Sequence, residues 1–306
     1  VRHSNVAVVV LLVGAGVLGG CGGDDEATVV PGTVVVDDTG SGDTYVLPAA
    51  FAVGQTATLS GEFTSSVSVS GPTDDEYSIT VSVEYHSEVV ELTDDGGAVV
   101  ESEYVAAAVD ASDEGVDTGA FEDLVGVRYR ETYAADGSVV DTELVDEDSL
   151  SDAQRAAAED MIGQASTSTI TFPTEPVGVG ATWASDSTLL SQGVEIVVID
   201  RYELIDVVDG VYTITVEYGS PIDDTVGGED VTGSISARGV IRGDVENPLA
   251  VTAQLRQLVD MSVEGEGTLE MSVDVATRAE GIEPLDEGTS PSDTPADSTT
   301  DSTTAG

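Results

Sequence analysis

The chain contains no lysine. All nine of its basic residues are arginine, set against 59 Asp and Glu, for a formal net charge of −50. Nucleic-acid binding rests on cationic side chains that neutralise phosphates, so DNA and RNA are excluded as partners. Anionic lipid head groups are repelled for the same reason, as are other copies of the chain, which favours a monomer. Histidine is almost as scarce: there are two, His3 and His86. A Ser-His-acid triad would have to be built on His86, which falls on the polar face of a strand pattern next to Ser87 and Glu88. Gly-x-Ser-x-Gly elbows are missing, and so are the His and Cys clusters that zinc requires. One cysteine, Cys21, rules out a disulfide within the chain. The fold must therefore rest on its apolar core, which a chain of 306 residues can supply. Carbohydrate sites usually present exposed aromatics, and this chain has a single Trp. Nothing here points to an enzyme or to a cofactor.

What is present begins at the N-terminus. Arg2 and His3 lead into an apolar run, Val6 to Leu18, that ends in Leu18-Gly19-Gly20-Cys21. A positive start, an apolar stretch of about 7–15 residues and small residues at the cleavage point are the parts of a secretory signal. The run is too short to span a membrane, which takes about 20 residues. Leu18, Gly19 and Gly20 before Cys21 resemble the lipobox of bacterial lipoproteins. The resemblance implies cleavage after Gly20, lipidation of Cys21 with acyl chains such as palmitate, and a chain anchored on the extracytoplasmic face of the cell membrane. Gly14-x-Gly16-x-x-Gly19 has the spacing of a dinucleotide fingerprint, but no strand precedes it and no βαβ helix follows.

Composition divides the chain into a signal peptide (1–20), an acidic flexible tether (21–50), a β-rich domain (51–282) and a Ser/Thr/Asp/Pro tail (283–306) that cannot bury apolar area. Within the domain the signal is alternation. Tyr77, Ile79, Val81, Val83 and Tyr85 face one way, and Ser78, Thr80, Ser82 and Glu84 the other. Similar patterns cover 99–109, 125–133, 139–145, 169–172, 181–190, 194–207, 212–218 and 231–241. The odd-numbered apolar series 251–275 is broken at Gly265-Glu266-Gly267 and reads as two strands or one bent strand. Ser151-Asp152-Ala153-Gln154 resembles a capping box, and Ala153, Ala157, Met161 and Ile162 make an apolar stripe, which predicts an amphipathic helix over about 150–164. The fold class expected is mainly β, of α+β type: a curved antiparallel sheet or half-barrel of about ten strands with that helix packed on it.

Oxygen ligands are plentiful, so calcium is the metal to consider. Asp110-x-Ser112-x-Glu114-Gly115 begins like a calcium loop, but Phe121 stands where an acid is needed. Asp223, Asp224, Glu229 and Asp230 flank a Gly-Gly loop and are weak candidates; with so many acids, such pairs arise by chance.

The most distinctive internal stretch is Phe172-Pro173-Thr174-Glu175-Pro176-Val177-Gly178-Val179-Gly180-Ala181-Thr182-Trp183. Its Pro-Val-Gly-Val-Gly-x-x-Trp phrase resembles one in a family of uncharacterised, mainly actinobacterial lipoproteins, which share the order of lipobox, acidic tether, strands, helix, phrase and more strands. That resemblance implies no activity. For the phrase itself, Trp183 reads as a core anchor, with a ligand-contacting aromatic as the alternative. Three functions stay open: binding or carriage of an apolar ligand, a structural or protein-interaction module of the envelope, and a hydrolase of envelope polymers.

Overall fold

The structure, a computed structural model, describes residues 28–283 apart from 48–49, 72–73, 113–122, 153, 156–157, 159–169, 192–193, 227–228 and 264–266. The lipobox with Cys21, most of the calcium-like loop, Met161 and Ile162 of the helix stripe, and the tail beyond Glu283 lie outside the described residues.

Among the described residues fourteen strands follow in order: β1 Thr28–Asp38, β2 Ser41–Tyr45, β3 Thr56–Ser70, β4 Asp75–Leu92, β5 Ala98–Ala111, β6 Arg128–Tyr133, β7 Val139–Leu144, β8 Val177–Val179, β9 Thr182–Ser191, β10 Val194–Val208, β11 Val211–Val226, β12 Glu229–Asp244, β13 Val251–Val263 and β14 Gly267–Ala279. Twelve form one antiparallel sheet in the order β1-β9-β10-β11-β12-β13-β14-β3-β4-β5-β6-β7, while β2 pairs with β8. The sheet is thus two meanders, β9–β14 and β3–β7, joined side by side where β14 pairs with β3. It is open: β1 and β7 are its two edges.

Alternation drives the strands, as the patterns predict. On β4 the buried apolar side chains are Ile79, Val81, Val83 and Val89; on β13 they include Ala253, Val259 and Met261. Side chains of period two place one face inward and leave Ser, Thr, Asp and Glu outside. The broken series 251–275 resolves into two strands, β13 and β14, paired as a hairpin. Curvature lets distant strands share a core. Val67 of β3 packs in one cluster with Ile222 of β11, Ile235 of β12 and Met261 of β13. A second cluster joins Trp183, Tyr202, Leu204, Tyr212 and Ile241 to Leu47, Phe172 and Val177, which lie off the large sheet. A third unites β4, β5 and β6 with Leu124, Val127 and Ala158.

Three expectations change. Where a tether is expected over 21–50, β1 and β2 occupy residues 28–38 and 41–45, and Leu47 is 1% exposed in the core. The Val-rich stretch supplies β propensity that the surrounding Gly and Asp obscure. Ile170–Phe172, within the strand expected over 169–172, carries no ladder; Phe172 instead sends its side chain into the second cluster. The amphipathic helix over 150–164 is not shown, so the architecture is mainly β rather than α+β. Its start is present: Ser151 N–H donates to Gln154 Oε1 and Gln154 N–H to Ser151 Oγ, both at 3.1 Å, a reciprocal capping box. Residues 152, 154, 155 and 158 are helical, and 159–164 of the expected helix lie outside the described residues. Among the described residues, Leu47, Leu124 and Phe172 pack onto the inner face of the sheet.

Candidate functional site

The inner face is apolar with two polar interruptions. The larger is a single row of the sheet. Register links Val34, Ser185, Asp200, Tyr218, Ala237, Gln257, Val273, Ser65, Ile79 and Ala111 in that order, one residue each from β1, β9, β10, β11, β12, β13, β14, β3, β4 and β5. Ser185, Asp200, Tyr218, Gln257 and Ser65 therefore lie across one belt of the inner face. The belt runs between the cluster around Val67, Ile235 and Met261 and the cluster around Trp183, Leu204 and Ile241.

Burial acts on these groups. Asp200 is desolvated, which raises its pKa from 3.8 to about 6 despite a lowering hydrogen bond with Ser185. Tyr218 is raised by burial and then by the Asp200 charge. Gln257 is 8% exposed, and its Nε2 has no hydrogen-bond partner among the described residues. One row further along, Leu255, Val275 and Phe63 are consecutive partners on β13, β14 and β3 and remain only half-buried. An accessible apolar strip thus borders the polar belt.

The second interruption centres on Glu131. It is buried on β6, and desolvation raises its pKa against the lowering effect of a hydrogen bond from Tyr133, whose hydroxyl donates to Oε2 at 2.9 Å. Tyr104 and Tyr129 lie 5.5 Å apart between ring centroids, and Tyr85 meets Tyr104 edge-on at 6.2 Å. Ser87 and Ser102 share a buried hydroxyl–hydroxyl bond of 2.7 Å. None of these residues has a buried polar atom without a hydrogen-bond partner, so this cluster reads as structure that fixes the β4–β5–β6 pairing.

The outer face carries the charge. A groove of about 370 Å³ is lined by Val90, Glu91, Val99, Arg130, Thr132, Asp141 and Glu143. Arg128 and Arg130 both pair with Glu101, at 2.8 and 3.0 Å, and Arg128 also pairs with Asp146. His86 lies exposed on this side, with Nδ1 3.4 Å from Thr58 Oγ1.

Trp183 sits in the core, as the anchor reading expects: it is 1% exposed, stacked on Tyr202 at 5.3 Å, and its Nε1–H donates to Thr171 O at 3.0 Å. The phrase before it makes physical sense as a plug. Val177 and Ala181 point into the core, and Gly178 lies against the Ser41 backbone, where a side chain would collide. The calcium candidates are not drawn together by register: Asp223 pairs with Thr232, Asp224 with Val231, Asp230 with Thr225 and Glu229 with Val226. The side chains of 224–229 lie outside those described. Among the described residues no group of three or more His, Cys, Asp or Glu is placed to hold a metal.

The belt escapes sequence reading because its members are up to about 200 residues apart and meet only through register. A signal does exist, in that each is a polar residue at an apolar position of its strand.

Among the described residues no helix is long and apolar enough to cross a membrane. No protein-family model and no curated protein matches the chain. Among solved structures, an outer membrane channel from Pseudomonas putida F1 aligns with 76% of this chain and 97% of its own, at 11% identity and a TM-score of 0.22, a likeness too weak to fix either fold or activity.

Proposed function

We propose that this chain is a lipid-anchored extracytoplasmic lipoprotein whose curved inner face binds an apolar ligand. The observation that supports the reading is the half-buried strip Phe63, Leu255 and Val275, bordered by the polar belt. Fully packed cores seldom leave consecutive large apolar side chains accessible on their inward side. The anchor through Cys21 would hold the domain at a surface that its own charge repels.

Native mass spectrometry of protein purified from its own membranes tests the reading. The expected result is a co-purifying lipid that denaturation releases, together with a diacyl mass on the Cys21 peptide. Protein that carries no lipid, and takes up none after delipidation, would sink the ligand half. Cys21→Ala that stays processed and membrane-bound would sink the anchor half.

One observation favours the second reading, an envelope module that contacts protein. The outer groove sets Glu91 and Asp141, with Glu143 and Arg130 paired at 3.7 Å, around Val90 and Val99, and the two acids outside that pair suit a basic side chain with an apolar stem. The hydrolase reading has no comparable support among the described residues.

A further inference from the structure

Resting on that apolar-ligand reading, we infer that the polar belt is the seat of the ligand's head group, and that the head is uncharged: an amphiphile carrying hydroxyl or ester groups, such as a monoacylglycerol. The reasoning starts from Gln257. A buried amide N–H left without an acceptor costs on the order of 1–3 kcal/mol, and native structures seldom keep one without a use. Gln257 keeps one on the inner face, with 8% of its surface exposed.

Its surroundings form a place for an acceptor. Ala237 lies between Gln257 and Tyr218 in the row. Its short side chain stands between a tyrosine and a glutamine on strands about 10 Å apart, so a group bound over it would lie within reach of both. Beyond Tyr218, Asp200 and Ser185 supply an acceptor and a hydroxyl; beyond Gln257 and Val273, Ser65 supplies another hydroxyl. The half-buried Leu255, Val275 and Phe63 in the adjacent row would take the start of an apolar chain.

The absence of a charge on the head follows from where the arginines are. Arg201, Arg238 and Arg256 lie in the next register row, which faces outward; Arg201 and Arg238 both pair with Glu217, and Arg256 pairs with Asp274. Arg242 and Arg278 occupy outward positions of β12 and β14, and Arg128 and Arg130 outward positions of β6. Arg155 lies off the sheet and pairs with Glu147 at 3.4 Å. No strand arginine among the described residues points to the inner face. An anionic head would enter a desolvated belt with no counterion and with Asp200 already there, and burial of an unpaired charge is strongly unfavourable.

The test uses delipidated full-length protein and four probes: monooleoylglycerol, oleyl alcohol, oleoyl-lysophosphatidylglycerol and the headless hydrocarbon 1-octadecene. Binding is read by native mass spectrometry and by the fluorescence of Trp183. Wild type should bind the two neutral amphiphiles more tightly than the octadecene and the anionic lipid. Gln257→Leu removes the donor at similar volume. It should weaken monooleoylglycerol about tenfold, the worth of one buried hydrogen bond, and leave octadecene unchanged. Gln257→Met serves should the leucine variant not fold. If no probe binds wild type, the apolar-ligand reading falls and this inference with it. If octadecene binds and Gln257→Leu changes both probes alike, or changes neither, only the head-group seat is overturned. Preference for the anionic lipid would likewise overturn it.

Discussion

Trp183 shows how much a single side chain does here. It is the only tryptophan, is 1% exposed, stacks on Tyr202 and donates to Thr171 O. Trp183→Ala removes that area and leaves a cavity between the large sheet and the β2–β8 plug. It should destabilise the fold by about 3–5 kcal/mol. Far-UV circular dichroism in urea measures this, since the variant has no tryptophan fluorescence. A loss below about 1 kcal/mol would mean that the plug does not pack as described. Asp200 yields a prediction of opposite sign. Burial raises its pKa from 3.8 to about 6, so the folded chain holds this proton more tightly than the unfolded chain. The stabilising contribution is complete below pH 3.8 and is lost as the pH rises through about 6. Glu131 is shifted in the same direction, also by burial. Asp200→Asn keeps the shape without the charge. It should raise stability at pH 7 by about 1–2 kcal/mol, after allowing for partial exposure, and change little at pH 4. Urea midpoints at the two pH values decide it; an equal shift at both would show that ionisation of Asp200 is not the cause.

At the scale of elements, β12 packs its backbone tightly against a neighbouring side chain. Its Gly243 faces Tyr212 of β11, whose hydroxyl and ring occupy the space a Cβ would need. Tyr212 is itself buried, edge-on to Phe172 at 6.0 Å. Gly243→Ala should therefore displace an aromatic core residue and lower stability by about 1–3 kcal/mol. Pairing it with Tyr212→Phe should recover part of that loss in a double-mutant cycle, because the hydroxyl is one of the colliding groups. Additive losses would place the strain elsewhere.

The same elements show what could be read beforehand. β4, β10, β11 and β12 were legible because Tyr, Val, Ile and Leu alternate with Ser, Thr and Glu. β3 was not: Thr56–Ser70 has Ser and Thr outside and Gly61 and Ser65 inside, which dilutes the period of two. β1 and β2 were masked by Gly, Asp and Pro. The Ser151 capping box was legible because it is a local pattern, and the hydrogen bonds match it. The polar belt was not, because strand order brings β14 beside β3 across some 200 residues and only then do Ser65 and Gln257 share a row. What the chain did show is that Gln257 interrupts the odd-numbered apolar series of β13.

At the scale of the whole molecule, an open sheet and a net charge of −50 have to be considered together. Open edges invite pairing with another chain. β7 is six residues long and carries exposed Asp141; β1 contains Pro31 and two register shifts against β9. These features blunt the edges locally, and charge repels a second copy at longer range. The same repulsion acts within the molecule and works against compaction. Salt screens it over about 10 Å at 0.1 M and about 3 Å at 1 M. Two results should follow from one titration with NaCl at pH 7. The thermal midpoint should rise between about 0.05 and 1 M as internal repulsion is screened. Sedimentation velocity should show a monomer at low salt, with association emerging only where screening is strong. Acidification toward pH 4 should act the same way, because it removes the charge itself. A thermal midpoint that stays flat while association sets in would assign the charge to keeping copies apart and not to opposing the fold. A midpoint that rises with no association at any salt would show that the blunted edges suffice alone. The repulsion also bears on the proposed anchor. A surface that rejects anionic head groups can remain at a membrane only by a covalent tie, so the salt that relaxes the fold should not change how much Cys21-lipidated protein partitions onto anionic vesicles, whereas Cys21→Ala protein should stay in solution at every salt concentration.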